Sequence, residues 1–258
     1  MAARISRLIG SLVLLVVVGA AVTPAQGGEN HYIYLPLALK EEATSLGLWG
    51  RVTYEGEAIG GLTLELRYYA AGGVTFPVIA NTVTAADGQY VFSGVPALGS
   101  GDFYQIYYRN SADDRYIGSM RSHMVTVYAP GDSVHVVDFD VANIPLTSPG
   151  AGAAIGFTTF FHWTKRAASP TDSYHFSLYS LAGAPVLSSA NYGWTDTFAL
   201  TSLPPTTSYG QAYLWAIGTY LLPGGDHLES FEQRKVCFGS CPAVAAAPQR
   251  PDWHQLLP

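Results

Sequence analysis

Leu62-Thr63-Leu64-Glu65-Leu66-Arg67 alternates apolar and polar side chains, and Asp87-Gly88-Gln89-Tyr90-Val91-Phe92 repeats that alternation behind a tight-turn dipeptide. Strict period-two alternation is the mark of a strand with one face in a core and one in water. Outward from these two runs, the same pattern recurs at intervals. Trp49 to Tyr54, Val78 to Thr84 and Phe103 to Arg109 read as strands, the last with Tyr104, Ile106 and Tyr108 on one face. Met124 to Tyr128 and Ser133 to Val141 follow, divided by a Pro130-Gly131 turn. Asp87-Gly88 reads as the turn between two β-rich runs. Further on, Thr159 to Trp163, Tyr174 to Tyr179, Thr197 to Leu200, Tyr209 to Tyr220 and Phe231 to Phe238 complete the set. Outside the N-terminus no helical period is visible, so the chain is expected to be all-β.

The N-terminus has a different grammar. Arg4 and Arg7 precede an apolar run from Leu8 to Val22, and Thr23-Pro24-Ala25 offers the small residues at which secretory signals are cut. The run is about 15 residues, short of the roughly 20 that cross a bilayer core. Residues 1–25 are therefore expected to be a cleaved signal peptide, and no membrane span is expected elsewhere. Residues 26–44 read as an extended leader, because Pro36 disfavours helix for itself and for Leu35. Its His31–Lys40 stretch, apolar and strand-like, has two readings. It covers its own chain, or it pairs with a sheet edge on another copy.

Composition narrows the function classes. Charged residues make up 12% of the 258, about half the usual share, and the formal net charge is −6. Removal of Arg4 and Arg7 takes that charge to −8. So acidic a chain, without a basic cluster, is not expected to bind nucleic acid or anionic lipid. The two cysteines, Cys237 and Cys241, are expected to form a small disulfide in an exported protein, the alternative being a redox or metal pair, for which two thiols four apart without a nearby His make a weak site.

Two family resemblances overlie these readings. Gly50-x-Val52, Gly56, Ile59, Gly61, Leu64, Leu66, Thr84, Asp87-Gly88-x-Tyr90-x-Phe92 and Val95-Pro96 resemble the carboxypeptidase regulatory-like sandwich, also known as transthyretin-like or Cna B-type. The resemblance implies a β-sandwich over residues 45–142, with Tyr90 and Phe92 pointing inward. Relatives of the Cna B type often carry a Lys–Asn isopeptide bond, which residues 45–142 cannot form because they contain no Lys. Over residues 145–238, Leu203-x-Pro205-x-Thr207-x-Tyr209 resembles the E–F corner of fibronectin type III domains, and Phe161-x-Trp163 resembles their early core strand. That resemblance implies a corner pinned by the Tyr209 hydroxyl. The expected fold is thus two tandem antiparallel β-sandwich domains in a secreted bacterial protein. Residues 239–258, rich in Pro and Ala, read as a disordered tail.

Chemistry is sparse. There is no G-x-S-x-G elbow, no H-E-x-x-H pair and no phosphate-binding glycine loop. No catalytic residues, metal or cofactor are expected. His135, His162 and His175 fall in strands and read as solvent-facing or core residues. Asp138, Asp140, Asp113 and Asp114 are carboxylates that bear on calcium, but they offer fewer oxygens than the six to eight it takes. Trp194, Tyr68 and Tyr108 are the candidates for stacking on a sugar, Trp194 foremost because Asn191-Tyr192-Gly193-Trp194 reads as a loop. Adjacent tyrosines, such as Tyr107-Tyr108, are expected to leave one ring outside. The expected role is a non-catalytic, secreted or cell-surface module for adhesion, spacing or assembly. Its partners would be an extracellular protein, a glycan or, through residues 31–40, a second copy. The alternatives are a carbohydrate-binding accessory protein and, more remotely, a small secreted hydrolase.

Overall fold

A computed structural model describes residues 46–190, 192–221 and 226–240. The expected signal peptide, the leader and nearly all of the tail lie outside the described residues. Among those described there is no helix, and eighteen strands follow one another. In the first half these are β1 (Gly47–Tyr54), β2 (Glu57–Ala58), β3 (Thr63–Tyr69), β4 (Val78–Val83), β5 (Gln89–Phe92), β6 (Phe103–Arg109), β7 (Ser119–Arg121), β8 (Ser133–His135) and β9 (Phe139–Asp140). The second half supplies β10 (Leu146–Ser148), β11 (Ala153–Ile155), β12 (Thr159–Trp163), β13 (Asp172–Ser180), β14 (Pro185–Ser188), β15 (Thr197–Leu200), β16 (Ala212–Leu221), β17 (Asp226–Glu229) and β18 (Arg234–Phe238).

The fold is all-β, with two sandwich cores in series. In the first, a five-stranded sheet centred on β1 faces β4, β3, β6 and β7. Leu64 and Leu66 point inward from β3, Tyr90 and Phe92 from β5, and Tyr104, Ile106 and Tyr108 from β6. In the second, a three-stranded sheet (β10, β12, β15) faces β13, β16 and β18. Phe161 lies at its centre, with Phe176 at 4.6 Å and Trp215 at 5.1 Å between ring centroids. Removing such a ring would cost about 3–5 kcal/mol.

The inner sheets of both cores are one sheet of ten strands. β16 pairs along one edge with β13, and along the other with β18 and β17, while β17 continues the sheet by pairing with β7. Leu228 of β17 is completely buried in the first core.

A second tie is polar. Arg166 donates from Nε and Nη2 to Asp172, at 2.8 Å each, and from Nη1 to the backbone carbonyl of Asp140. Both charged side chains are essentially without solvent exposure. The Asp140 carboxylate accepts from the Thr53 hydroxyl and from the amides of Gly56 and Ala142, so the loop that receives Arg166 is itself held.

Several expectations need correcting. The sandwiches are not purely antiparallel: β1 pairs in parallel with β8 and β9, and β11 with β18. Asp87-Gly88 is a tight turn, with Gly88 at φ +79 and no room for a Cβ beside the Val52 carbonyl. It does not close a hairpin, because β4 belongs to the ten-stranded sheet and β5 to the five-stranded one. The turn carries the chain across the core instead. Met124 to Tyr128 is not a strand, since Val125 alone bridges to Tyr104. Ser133 to Val141 splits into β8 and β9 because Val136 and Val137 tuck into the core between them.

Candidate functional site

Residue chemistry and exposure together single out the open edge of the first sandwich. Strand β4 ends the ten-stranded sheet and, among the described residues, pairs with β3 alone. Its Val78, Ile79 and Val83 side chains are 40%, 41% and 56% exposed. An apolar edge with unpaired backbone groups is a template for another strand. Beside it lies a cavity of about 480 Å³, walled by Ile79 and Ala80 of β4, by Val95 and Pro96 after β5, and by Tyr68 and Tyr104.

The tyrosines frame this groove in different ways. Tyr104 is buried and donates its hydroxyl to the Pro96 carbonyl at 3.0 Å, fixing the wall, and burial raises its pKa. Tyr68 is half-buried and donates to the Asp102 carboxylate at 2.7 Å. That hydrogen bond holds the Asp102 carboxyl below its usual range and raises the Tyr68 phenol. Asp102 also accepts from the amides of Ala71 and Gly99, so it organises the loops at the mouth. The lining is apolar apart from Tyr68, Tyr104 and Ser93. Such a surface is suited to gripping a side chain.

The three stacking candidates are not brought together. Tyr68 is at the groove. Tyr108 is 4% exposed, a core residue of the first sandwich, and cannot meet a sugar. Its neighbour Tyr107 is buried as well, against the expectation that one ring of the pair would be free. The outer face of β6 is covered locally, by the Tyr69 hydroxyl 2.5 Å from that of Tyr107 and by the Arg67 guanidinium 4.9 Å from its ring. Trp194 is 40% exposed, as its loop suggested, but Lys165 Nζ stands 5.1 Å over its ring and Tyr174 packs at 5.8 Å.

The corner residues also differ from expectation. Thr207 is buried and caps the turn, its amide and hydroxyl both donating to the Pro204 carbonyl. Leu203 packs against the second core, and Pro205 lies exposed in the turn. Tyr209 does not pin the corner. It is 60% exposed and its ring rests edge-on against Phe157. The hydroxyl that bonds back is that of Tyr213, which accepts from the Ser208 amide at 2.9 Å. Strand β16 begins only at Ala212, so the inward tyrosine falls four positions later.

The acidic residues act as structural acceptors. Asp138 accepts from the Arg51 amide and contacts His135, and Asp113 is clamped by Arg115. Cys237 is fully buried at the end of β18, whereas Cys241 lies outside the described residues.

No protein-family model matches the chain, and no curated protein matches it. Among solved structures, the fibronectin(III)-like modules of Clostridium thermocellum CbhA align over 81% of this chain and 98% of theirs, at 10% identity and a TM-score of 0.27. The N-terminal four Ig domains of Dscam1 isoform 4.4 align over 80% of this chain at 14% identity and the same TM-score of 0.27. The chain spans 52% of that second structure. Such TM-scores assign the chain to neither family. The class that its own strands define is an all-β protein of sandwiched sheets.

Proposed function

We propose that this chain is a secreted, non-catalytic binding module that assembles by accepting an extended peptide along β4, with a side chain of that peptide in the adjoining groove. The observation that carries the reading is the open apolar edge of β4 beside the 480 Å³ cavity. Backbone groups of the edge supply affinity, and the groove selects the side chain. Residues 31–40 of a second copy have the apolar, extended character that such an edge accepts. The signal-like N-terminus and the absence of a catalytic constellation in the sequence agree with an extracellular role in adhesion, spacing or assembly. We propose in the same spirit a Cys237–Cys241 disulfide, to be checked by intact mass before and after reduction and alkylation.

Sedimentation velocity and electron microscopy of the exported protein test the reading. Concentration-dependent association or fibres are expected, lost on Ile79→Lys and on deletion of residues 31–40. A wild-type chain that stays monomeric throughout would reject assembly through this edge. Glycan panels run in parallel with Trp194→Ala report on the carbohydrate alternative, whose aromatic face Lys165 already occupies.

A further inference from the structure

Three neighbouring strands bring two imidazoles together. His175 of β13 stands opposite Gly218 of β16, and His227 of β17 stands opposite Tyr220 of the same strand. Alternation along each strand puts His175, Gly218, Tyr220 and His227 on one face of the ten-stranded sheet. The two Nε2 atoms are 3.2 Å apart, and the ring centroids 5.0 Å. Tyr220 packs against both rings, at 5.0 and 5.1 Å.

Gly218 makes the approach possible. A Cβ there would lie 2.2 Å from His175 Cε1 and 3.0 Å from His227 Nε2. Glycine inside a strand weakens it and marks a place where something must come close to the backbone. Here that something is the pair of imidazoles.

We propose that His175 and His227 chelate a late first-row divalent transition ion, copper above all, through their Nε2 atoms. With metal–nitrogen bonds of about 2.05 Å and ring centroids about 1.15 Å behind each nitrogen, two imidazoles sharing one ion at about 103° have nitrogens about 3.2 Å and centroids about 5.0 Å apart. Both separations match those observed.

Imidazole pairs without thiolate favour copper in the divalent series. The described residues hold no group of three or more His, Cys, Asp or Glu around this point. Asp226 faces the opposite side of β17, where it meets His123 Nδ1 at 2.9 Å. Glu229 shares the His227 face but accepts from the Tyr179 hydroxyl. His175 Nδ1 is buried and without a hydrogen-bond partner among the described residues.

The test is a Cu²⁺ titration of the full chain with glycine as competing chelator, read by electron paramagnetic resonance. One ion per chain with a two-nitrogen pattern is expected. Loss of one arm of the chelate should weaken binding about 100-fold in His227→Gln, whose imidazole is only partly buried, and in His175→Gln. His162→Gln, on an exposed face of the other sheet, should bind as wild type. Circular dichroism of each variant separates a lost ligand from a lost fold. Undiminished binding in a folded His227→Gln, or no binding that survives glycine, would overturn the proposal.

Discussion

The Arg166–Asp172 pair gives the sharpest test of how the two cores are tied. Asp172→Ala removes both carboxylate oxygens, each 2.8 Å from a guanidinium nitrogen, and leaves a guanidinium whose side chain is 1% exposed. The Asp140 carbonyl remains as a partner of the guanidinium, but it carries no compensating negative charge. Breaking a buried pair on one side costs about 3–5 kcal/mol. Two charge-assisted hydrogen bonds at about 1.5–3 kcal/mol each give about 3–6 kcal/mol, an overlapping range. For a folded unit of this size the melting midpoint should fall by about 10 °C. Replacing both partners, as Arg166→Met with Asp172→Leu, removes the unpaired charge and leaves only the Asp140 carbonyl and Tyr174 short of partners. That double variant should lose about 1–2 kcal/mol, well below the sum of the single losses. Urea unfolding of wild type, Arg166→Met, Asp172→Leu and the double variant, fitted as a double-mutant cycle with Asp172→Ala alongside, reads this directly. A loss under about 1 kcal/mol for Asp172→Ala, or additivity of the singles, would refute the reasoning.

Other perturbations follow from the same contacts. Tyr213→Phe should cost about 1 kcal/mol by removing the acceptor of the part-buried hydrogen bond from the Ser208 amide, and Tyr209→Phe should cost nothing measurable, a contrast that urea unfolding resolves. Gly50→Ala would put a Cβ 2.1 Å from the Val137 carbonyl and 2.6 Å from the Tyr90 hydroxyl, so it should destabilise more than Tyr90→Phe, which only removes the 2.8 Å hydrogen bond to that carbonyl. His175 should make metal-free stability depend on pH. Its folded pKa of about 4 lies below the ordinary 6.5, so the unfolded chain binds the proton first. Stability is therefore full above pH 6.5, falls as pH drops toward 4 by up to about 3 kcal/mol, and levels off below. Melting curves from pH 7.5 to 4 should show this slope, reduced in a folded His175→Gln.

What the sequence disclosed was local. Leu64 and Leu66, Tyr90 and Phe92, Phe161 and Trp163, and Tyr174, Phe176 and Leu178 all point where their alternation places them, because a half-buried strand has a period of two whatever its partner. Partner choice is not local, so the parallel ladders of β1 and the passage of β17 into the first sandwich could not be read. The corner failed for a register reason. A motif fixes spacing, but the first inward position is set by where β16 starts. Tyr108 failed as a ligand residue because the same alternation that makes a strand aromatic prominent also buries it. The groove residues Ile79, Val95 and Pro96 carry no chemical signature and meet only in three dimensions. Gly218 was the one legible sign of the histidine pair, a glycine in the middle of an apolar strand.

The β7–β17 pairing has a consequence for how the chain can be cut and how it emerges. Asp226 and His123, which hydrogen-bond beside that seam, are 103 residues apart. Until residues 226–229 arrive, the first half lacks Leu228 in its core and leaves Ser119–Arg121 as a bare edge ready to pair with any other chain. A fragment ending near Pro145 would therefore be prone to aggregate, however well its own sandwich is formed. Contacts that wait for so distant a segment also slow folding. The chain is best handled and expressed with β7 and β17 kept in one piece.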